Sequence, residues 1–381
     1  MATNPPILPY ARQSVSDDDI EAVVEVLRSD WLTTGPKVEA FETAFAEFIG
    51  VAEAVAVANG TAALHAAMAA AGIRPGDEVI VPAMTFVATA NAAVYQQARP
   101  VIADVDPATL LIDPDSVEKK ITGRTKAIVA VDYAGQPCDY DALRRIADRH
   151  GLRLIADACH ALGAEYKNKK VGVLADFTVF SFHPVKHITT GEGGIVTTGD
   201  RDAAECLRRF RSHGINANHR ERSEKDTWRY EMESLGYNYR LTDFQCALGL
   251  SQLRTLPARI ARRREIARAY DRAFGSFAHV KPLAIAPQVG HAYHLYVVRV
   301  RDRASVYRRL RQRGIGVNVH YLPVHLHEYY RRTFGTGAGD CPVAEQAYEE
   351  ILSLPMFSAM AIDDLCRVVE AIAEEVEEHA A

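Results

Sequence analysis

The sequence predicts an α/β protein: a large domain with a mostly parallel sheet between helices, followed by a smaller α+β domain. Three observations lead there. From about residue 55 to 200, short apolar runs alternate with helix-like stretches. Those runs are nearly all apolar rather than apolar on alternate residues, which is the pattern of strands covered on both faces. After about residue 250 the texture changes to long charged helices with a few strands. Residues 1–250 are therefore assigned to the large domain and 251–381 to the small one, a division that 381 residues accommodate.

The elements follow in order. Ser16-Asp17-Asp18-Asp19 ahead of Ile20, Val23, Val24 and Leu27 reads as a cap with acids in the first turn of a helix. Strand-like runs are Ala54 to Val57, Glu78 to Val81, Pro100 to Ala103, Ala127 to Val131, Leu152 to Ala156, Phe177 to Phe182 and Ile195 to Thr198. Thr61 to Ala71 and Asp141 to His150 read as helices between them. Arg259-Ile260-Ala261-Arg262-Arg263-Arg264-Glu265 opens a long charged helix, followed by the strand His294 to Val300, a helix through Leu310 and the strand Gly316 to His320. From Ile362 the chain reads as a helix ending in the acids Glu374 to Glu378, a solvated face. There is no internal repeat and no low-complexity linker.

Composition narrows the function. The chain is 48% hydrophobic and 24% charged, ordinary for a globular enzyme. Its formal net charge of −5 argues against nucleic acid as a partner. No apolar run approaches the roughly 20 residues of a membrane span. Met1 to Pro6 lacks the basic start and apolar core of a signal peptide. The six cysteines are widely spaced and form no C-x-x-C, which argues against a zinc site or a disulfide framework and for a reducing cytoplasm.

Candidate chemistry falls at strand ends, where ligands sit in sheets of this kind. Lys186 lies beyond the strand Phe177 to Phe182, in a turn bounded by Phe182, His183 and Gly191. A lysine in a partly dry pocket loses its proton more easily, and the neutral amine forms Schiff bases with carbonyls, including the aldehyde of pyridoxal phosphate. Asn59-Gly60-Thr61-Ala62 lies between a strand and an Ala-rich helix, where free N–H groups suit a phosphate, although the same residues also serve as a plain helix cap. Asp157 ends a buried strand, and is open to reading as a cap, a metal ligand or a partner for a pyridine nitrogen. Phe86, after Thr85, suits either a ring platform or the core. Jointly, Gly60, Thr61, Phe86, Asp157, Ser181 and Lys186 fit one ligand with a phosphate, a flat basic ring and an aldehyde.

These residues carry a resemblance. Asp30 to Pro36, Asn59 to Leu64, Asp157-Ala158-Cys159-His160-Ala161, Ser181 to Gly194 and Gly236 to Asp243 together are similar to the fold-type I pyridoxal phosphate enzymes, and within them to the DegT/DnrJ/EryC1/StrS sugar aminotransferases. The resemblance covers nearly the whole chain. It implies a seven-stranded sheet, no metal, and pyridoxal 5'-phosphate bound covalently by Lys186. Asp157 would pair with the ring nitrogen and Phe86 would stack on the ring. Gly60, Thr61 and Ser181 would hold the phosphate, with Ala62 beside them. Asn238 would reach the phosphate from the partner subunit of a homodimer with shared sites. His160 stands where many relatives carry glutamine near the ring hydroxyl, with its protonation state open.

The implied reaction is ping-pong: L-glutamate gives its amine, leaves as 2-oxoglutarate, and a nucleotide-linked keto sugar receives the amine. Trp31, Thr33, His183, Asn318, His320 and Tyr321 are the candidates for the sugar-nucleotide side, the last three being equally readable as core or interface. Ala134 to Asp139, His183 to Thr190 and Trp228 to Met232 resemble the branch that aminates C4 of a UDP-linked 4-keto-6-deoxy-N-acetylhexosamine in pseudaminic acid synthesis. Enzymes for other UDP- or dTDP-linked 4-keto or 3-keto sugars remain alternatives. A sugar dehydratase on the same fold is disfavoured because Lys186 is kept, with His187 beside it rather than in its place.

Overall fold

A computed structural model describes residues 7–217, 222 and 226–377. Residues 1–6, read above as lacking a signal peptide, and Glu378 of the acidic tail lie outside the described residues. Along the chain run α1 (Asp17–Leu27), α2 (Pro36–Ile49), β1 (Glu53–Val57), α3 (Gly60–Ala70), β2 (Glu78–Pro82), α4 (Val87–Tyr95), β3 (Arg99–Ala103), α5 (Pro114–Lys120), β4 (Thr125–Val131), α6 (Tyr140–His150) and β5 (Arg153–Asp157). Then come β6 (Glu165–Tyr166), β7 (Lys169–Lys170), β8 (Phe177–Ser181), β9 (Gly194–Thr198), α7 (Arg201–Phe210) and α8 (Asp243–Phe274). The remainder comprises β10 (Val280–Pro282), β11 (Val289–Gly290), β12 (Tyr296–Val300), α9 (Arg303–Gln312), α10 (Glu328–Phe334), α11 (Pro342–Glu350), β13 (Ile351–Leu354) and α12 (Ile362–Glu377).

Seven strands form the main sheet in the order β1-β9-β8-β5-β4-β2-β3. All neighbours pair in parallel except at β9, which runs antiparallel to both β1 and β8. Buried apolar side chains such as Val55, Ile80, Val129, Ile155, Val179 and Val196 fill the strands, because helices cover both faces. The parallel arrangement puts Asn59-Gly60, Thr85-Phe86, Asp132-Tyr133, Asp157 and Ser181 at or just beyond the same edge of the sheet.

Local signals explain the helix ends. Ser16 caps α1 with the expected reciprocal bonds: its hydroxyl accepts the Asp19 N–H, and the Asp19 carboxylate accepts the Ser16 N–H at 2.9 Å. Asn59 caps α3 by accepting the Ala62 N–H at 2.8 Å.

Two readings of the C-terminal part are corrected. The long helix α8 begins at Asp243, well before Arg259, and runs through Pro257. A capping box of Thr242 and Gln245 starts it, and its first half packs on α1 and α2, which outweighs the hydrogen bond that Pro257 cannot donate. Residues 250 and 251 therefore lie inside one continuous helix. The run Gly316 to His320 forms no regular strand. It is wedged between Leu8–Tyr10 and β13, with isolated bridges Leu8–Ile315 and Asn318–Ser353. Around it, β10, β12 and β13 form an antiparallel sheet over a core of Tyr270, Phe274, Val298, Leu310, Val317 and Ile372. Among the described residues, no helix is long and apolar enough to cross a membrane.

Candidate active site

The site is built where β1, β2, β5 and β8 end. Gly60 opens α3 so close to β8 that an added Cβ would lie 3.0 Å from Ser181 Cβ, 3.2 Å from Ser181 Oγ and 3.3 Å from Cys159 Sγ. Only glycine lets the helix start approach the serine hydroxyl this way. Asn59 engages the Ala62 N–H, so that donor is committed within the chain. The N–H groups of Gly60 and Thr61 have no acceptor among the described residues. Two free donors at a helix start beside a hydroxyl suit an anion.

Asp157 is 6% exposed at the end of β5. Its Oδ2 accepts the Thr89 hydroxyl at 2.6 Å and its Oδ1 the Cys159 N–H at 3.2 Å. Thr89 is in turn joined to Thr85 at 2.7 Å, one helical turn earlier across the start of α4. Asp157 therefore caps no helix; its carboxylate is held rigidly on the site side of the strand. Thr89 was not foreseen, and the four-residue spacing of two threonines after a strand is the only sequence hint of it. Among the described residues, no group of three or more His, Cys, Asp or Glu side chains is placed to hold a metal ion.

Lys186 follows β8 and is half-buried. Burial of the amine pushes its pKa below the usual lysine value, only partly offset by the nearby Cys159 and Asp157. Four imidazoles feel the Lys186 charge: His160, His187, His294 and His320. Burial first, and the Lys186 charge among the further causes, holds His160, His187 and His294 well below the usual histidine range and His320 at about 4. All four are therefore neutral near pH 7, which answers the open protonation state of His160. Its Nε2 lies 3.1 Å from the Tyr321 hydroxyl, while its Nδ1 is buried with no partner among the described residues. The His294 ring packs against it, centroids 4.3 Å apart.

Phe86 sits just before α4 and is 56% exposed. Its neighbour is Tyr321, with ring centroids 5.9 Å apart. Tyr321 thus joins Phe86 and His160, bringing this C-terminal segment to the sheet edge. Asn318 and His320 are placed differently. The His320 ring is buried, its Nδ1 paired with Ser353 Oγ at 2.8 Å and its Nε2 with the Asn318 amide at 3.2 Å. The Tyr133 hydroxyl donates to the His320 carbonyl.

The remaining candidates are surface residues in this single chain. Trp31 and Thr33 are exposed on a loop pinned to the start of α8, where the buried Asp243 carboxylate accepts the N–H of Gly35 at 2.7 Å and of Lys37 at 2.9 Å. His183 is exposed at the turn before Lys186. Asn238 is exposed and makes no hydrogen bond to Gly60, Ser181, Asp157 or Lys186; its backbone bridges Ser212.

Residues 13–373 match the model of the DegT/DnrJ/EryC1/StrS aminotransferase family. The chain is 42% identical to the spore coat polysaccharide biosynthesis protein SpsC of Bacillus subtilis over 373 residues, 96% of each protein. Among solved structures it is similar to PseC of Helicobacter pylori, an aminotransferase involved in pseudaminic acid biosynthesis, at 34% identity, with a TM-score of 0.92 over 98% of this chain and 100% of that one. It is equally similar in fold to the pyridoxal phosphate form of the sugar aminotransferase Spr1654 of Streptococcus pneumoniae, described there as putative, at 31% identity and a TM-score of 0.92 over 98% of this chain and 99% of that one. The chain belongs to the DegT/DnrJ/EryC1/StrS aminotransferase family. Its fold is that of the fold-type I aminotransferases, and its cofactor is pyridoxal phosphate. The residues present fit that cofactor: paired free N–H groups and a hydroxyl for the phosphate, a fixed carboxylate for the ring nitrogen, a half-buried lysine with a loosened proton for the aldehyde, and an unpartnered buried imidazole nitrogen for the ring hydroxyl.

Proposed function

We propose that this member of the family moves the amino group of L-glutamate to a keto carbon of a nucleotide-linked sugar. The observation that carries the reading is the placement of Lys186 and Asp157 beside the Gly60–Ser181 contact at one edge of the sheet. When bound, pyridoxal phosphate supplies the electron sink for the carbon that bears the amine. Lys186 Nζ, whose proton burial makes easier to lose, would hold the aldehyde end of the cofactor and carry a proton at that nitrogen. Asp157, braced by Thr89 and the Cys159 N–H, would hold a proton on the ring nitrogen. Gly60, Thr61 and Ser181 would fix the phosphate, and the exposed Phe86 would stack on the ring. His160 would meet the ring hydroxyl as a neutral imidazole.

In this proposal residues 1–250 carry the cofactor and residues 251–381 bring Tyr321 over it, with Asn318 and His320 supporting the same wall. Trp31, Thr33 and His183 would line the sugar-nucleotide approach. The exposed Asn238 would serve the phosphate of a second copy, making a homodimer with shared sites. The six cysteines, all free, suit a cytoplasmic setting. Similarity to PseC favours a UDP-linked 2-acetamido-2,6-dideoxy-hex-4-ulose as acceptor, aminated at C4. The higher identity to SpsC keeps a different nucleotide 4-keto or 3-keto sugar as the second reading. A panel of UDP- and dTDP-linked 4-keto and 3-keto sugars, each with glutamate and read by mass and NMR, decides between them. Amination of the UDP-linked 4-keto-N-acetyl sugar at C4 is expected; selective turnover of another sugar would replace it, and no turnover with any would contradict the reading.

A further inference from the structure

Away from the chemistry, one buried histidine is enclosed by aromatic rings. His65 lies on α3, one helical turn beyond Thr61, and is 3% exposed. Around it stand Tyr95, Phe210, Tyr237 and Tyr239, with ring centroids 5.2, 5.1, 4.9 and 6.0 Å away. Its Nδ1 lies 3.2 Å from the Tyr239 hydroxyl, and its Nε2 is buried with no polar partner among the described residues. Burial brings the imidazole down to about 4, so it is neutral at physiological pH. One nitrogen of a neutral ring carries the proton and the other accepts. In the clasp proposed below, Nε2 carries the proton among the aromatics and Nδ1 accepts from the Tyr239 hydroxyl.

The rings that close this box flank Asn238. Residues 237–239 run antiparallel to 210–213: the Tyr237 N–H meets the Phe210 carbonyl at 2.7 Å, the Tyr239 N–H meets the Arg211 carbonyl at 2.9 Å, and Asn238 bridges Ser212. Side chains alternate along such a segment. Tyr237 and Tyr239 stack together on the His65 side, 5.0 Å apart and 15° from parallel, which turns Asn238 outward. The Tyr239 carbonyl also accepts the Ala58 N–H at 2.8 Å, one residue before the α3 cap. The strand that presents Asn238 is thus fastened to α3 on both sides of the anion-binding turn.

We propose that His65 and Tyr239 are positioning residues, a clasp that sets the direction in which Asn238 is presented to the cofactor phosphate of a second copy. This rests on the reading of Asn238 given above. The clasp lowers the freedom of Asn238 before binding, so its loss falls on phosphate recognition rather than on the ring or the aldehyde.

The test measures dissociation constants of the full-length apoprotein for pyridoxamine phosphate and for pyridoxamine, which lacks the phosphate. Asn238→Ala is expected to weaken the first and not the second. Tyr239→Phe, which keeps the ring and the packing, is expected to weaken pyridoxamine phosphate about fivefold, the scale of one lost hydrogen bond, with pyridoxamine unchanged. His65→Leu should match it, and His65→Asn, which returns an acceptor near the Nδ1 position, should recover most of the affinity. In the Asn238→Ala background, Tyr239→Phe should have no further effect. If Asn238→Ala alone changes nothing, the underlying reading of Asn238 fails. If Asn238→Ala weakens binding but the clasp variants do not, weaken both ligands equally, or add to Asn238→Ala, the clasp is overturned and that reading stands.

Discussion

A lysine becomes a nucleophile when its surroundings make the ammonium form costly, and Lys186 meets that condition through burial. Since burial favours the neutral form, the amine is released as pH rises through a value below the ordinary 10.5. Stopped-flow capture of pyridoxal phosphate by the apoprotein should therefore accelerate with pH and reach half its limit below 10.5; a midpoint at or above that value would show that the pocket leaves the amine unperturbed. At this scale the sequence was informative where position alone carries meaning. Lys186 and Asp157 were legible because each follows an apolar strand, where a charge needs a reason. Thr89 and His294 were not, because their roles come from contacts made only after folding: Thr89 with Asp157, and His294 against His160. His320 reads from the sequence as a substrate residue or equally as core or interface, and in the fold both its ring nitrogens are engaged, by Asn318 and Ser353.

Among the elements, α3 links fold and function most directly. Asn59 satisfies the Ala62 N–H, one of the orphan donors of the first turn, and the N–H groups of Gly60 and Thr61 are those the phosphate would use. Asn59→Ala should cost about 1 kcal/mol of stability, the usual worth of such a cap, read as a lowered midpoint in urea unfolding at unchanged slope. An unchanged midpoint would mean that strand contacts, not the cap, set the start of α3. The seven main strands were legible from their unbroken apolar character. The helix α8 was harder, because Pro257 and the cluster at Arg259 suggested a start where packing on α1 and α2 carries the helix straight through. The short run at Gly316 read as a strand by its β-branched residues, but its neighbours leave room for isolated bridges only.

For the whole molecule, the proposed sharing of sites rests on Asn238, which is exposed in a single chain and makes no hydrogen bond to Gly60, Ser181, Asp157 or Lys186. Mixing Lys186→Ala with Asn238→Ala subunits should restore activity up to about a quarter of the native level, since half the random dimers would then carry one intact site. No restoration would place Asn238 in its own chain's site or outside the chemistry. The central claim, amino transfer through Lys186, is tested most directly by the first half of the reaction. Protein loaded with pyridoxal phosphate is mixed with L-glutamate and no sugar, while 2-oxoglutarate and the visible absorbance band of the bound cofactor are followed. One equivalent of 2-oxoglutarate per chain with loss of that band, absent in Lys186→Ala, is the predicted result. No 2-oxoglutarate, or the same yield from Lys186→Ala, would contradict it.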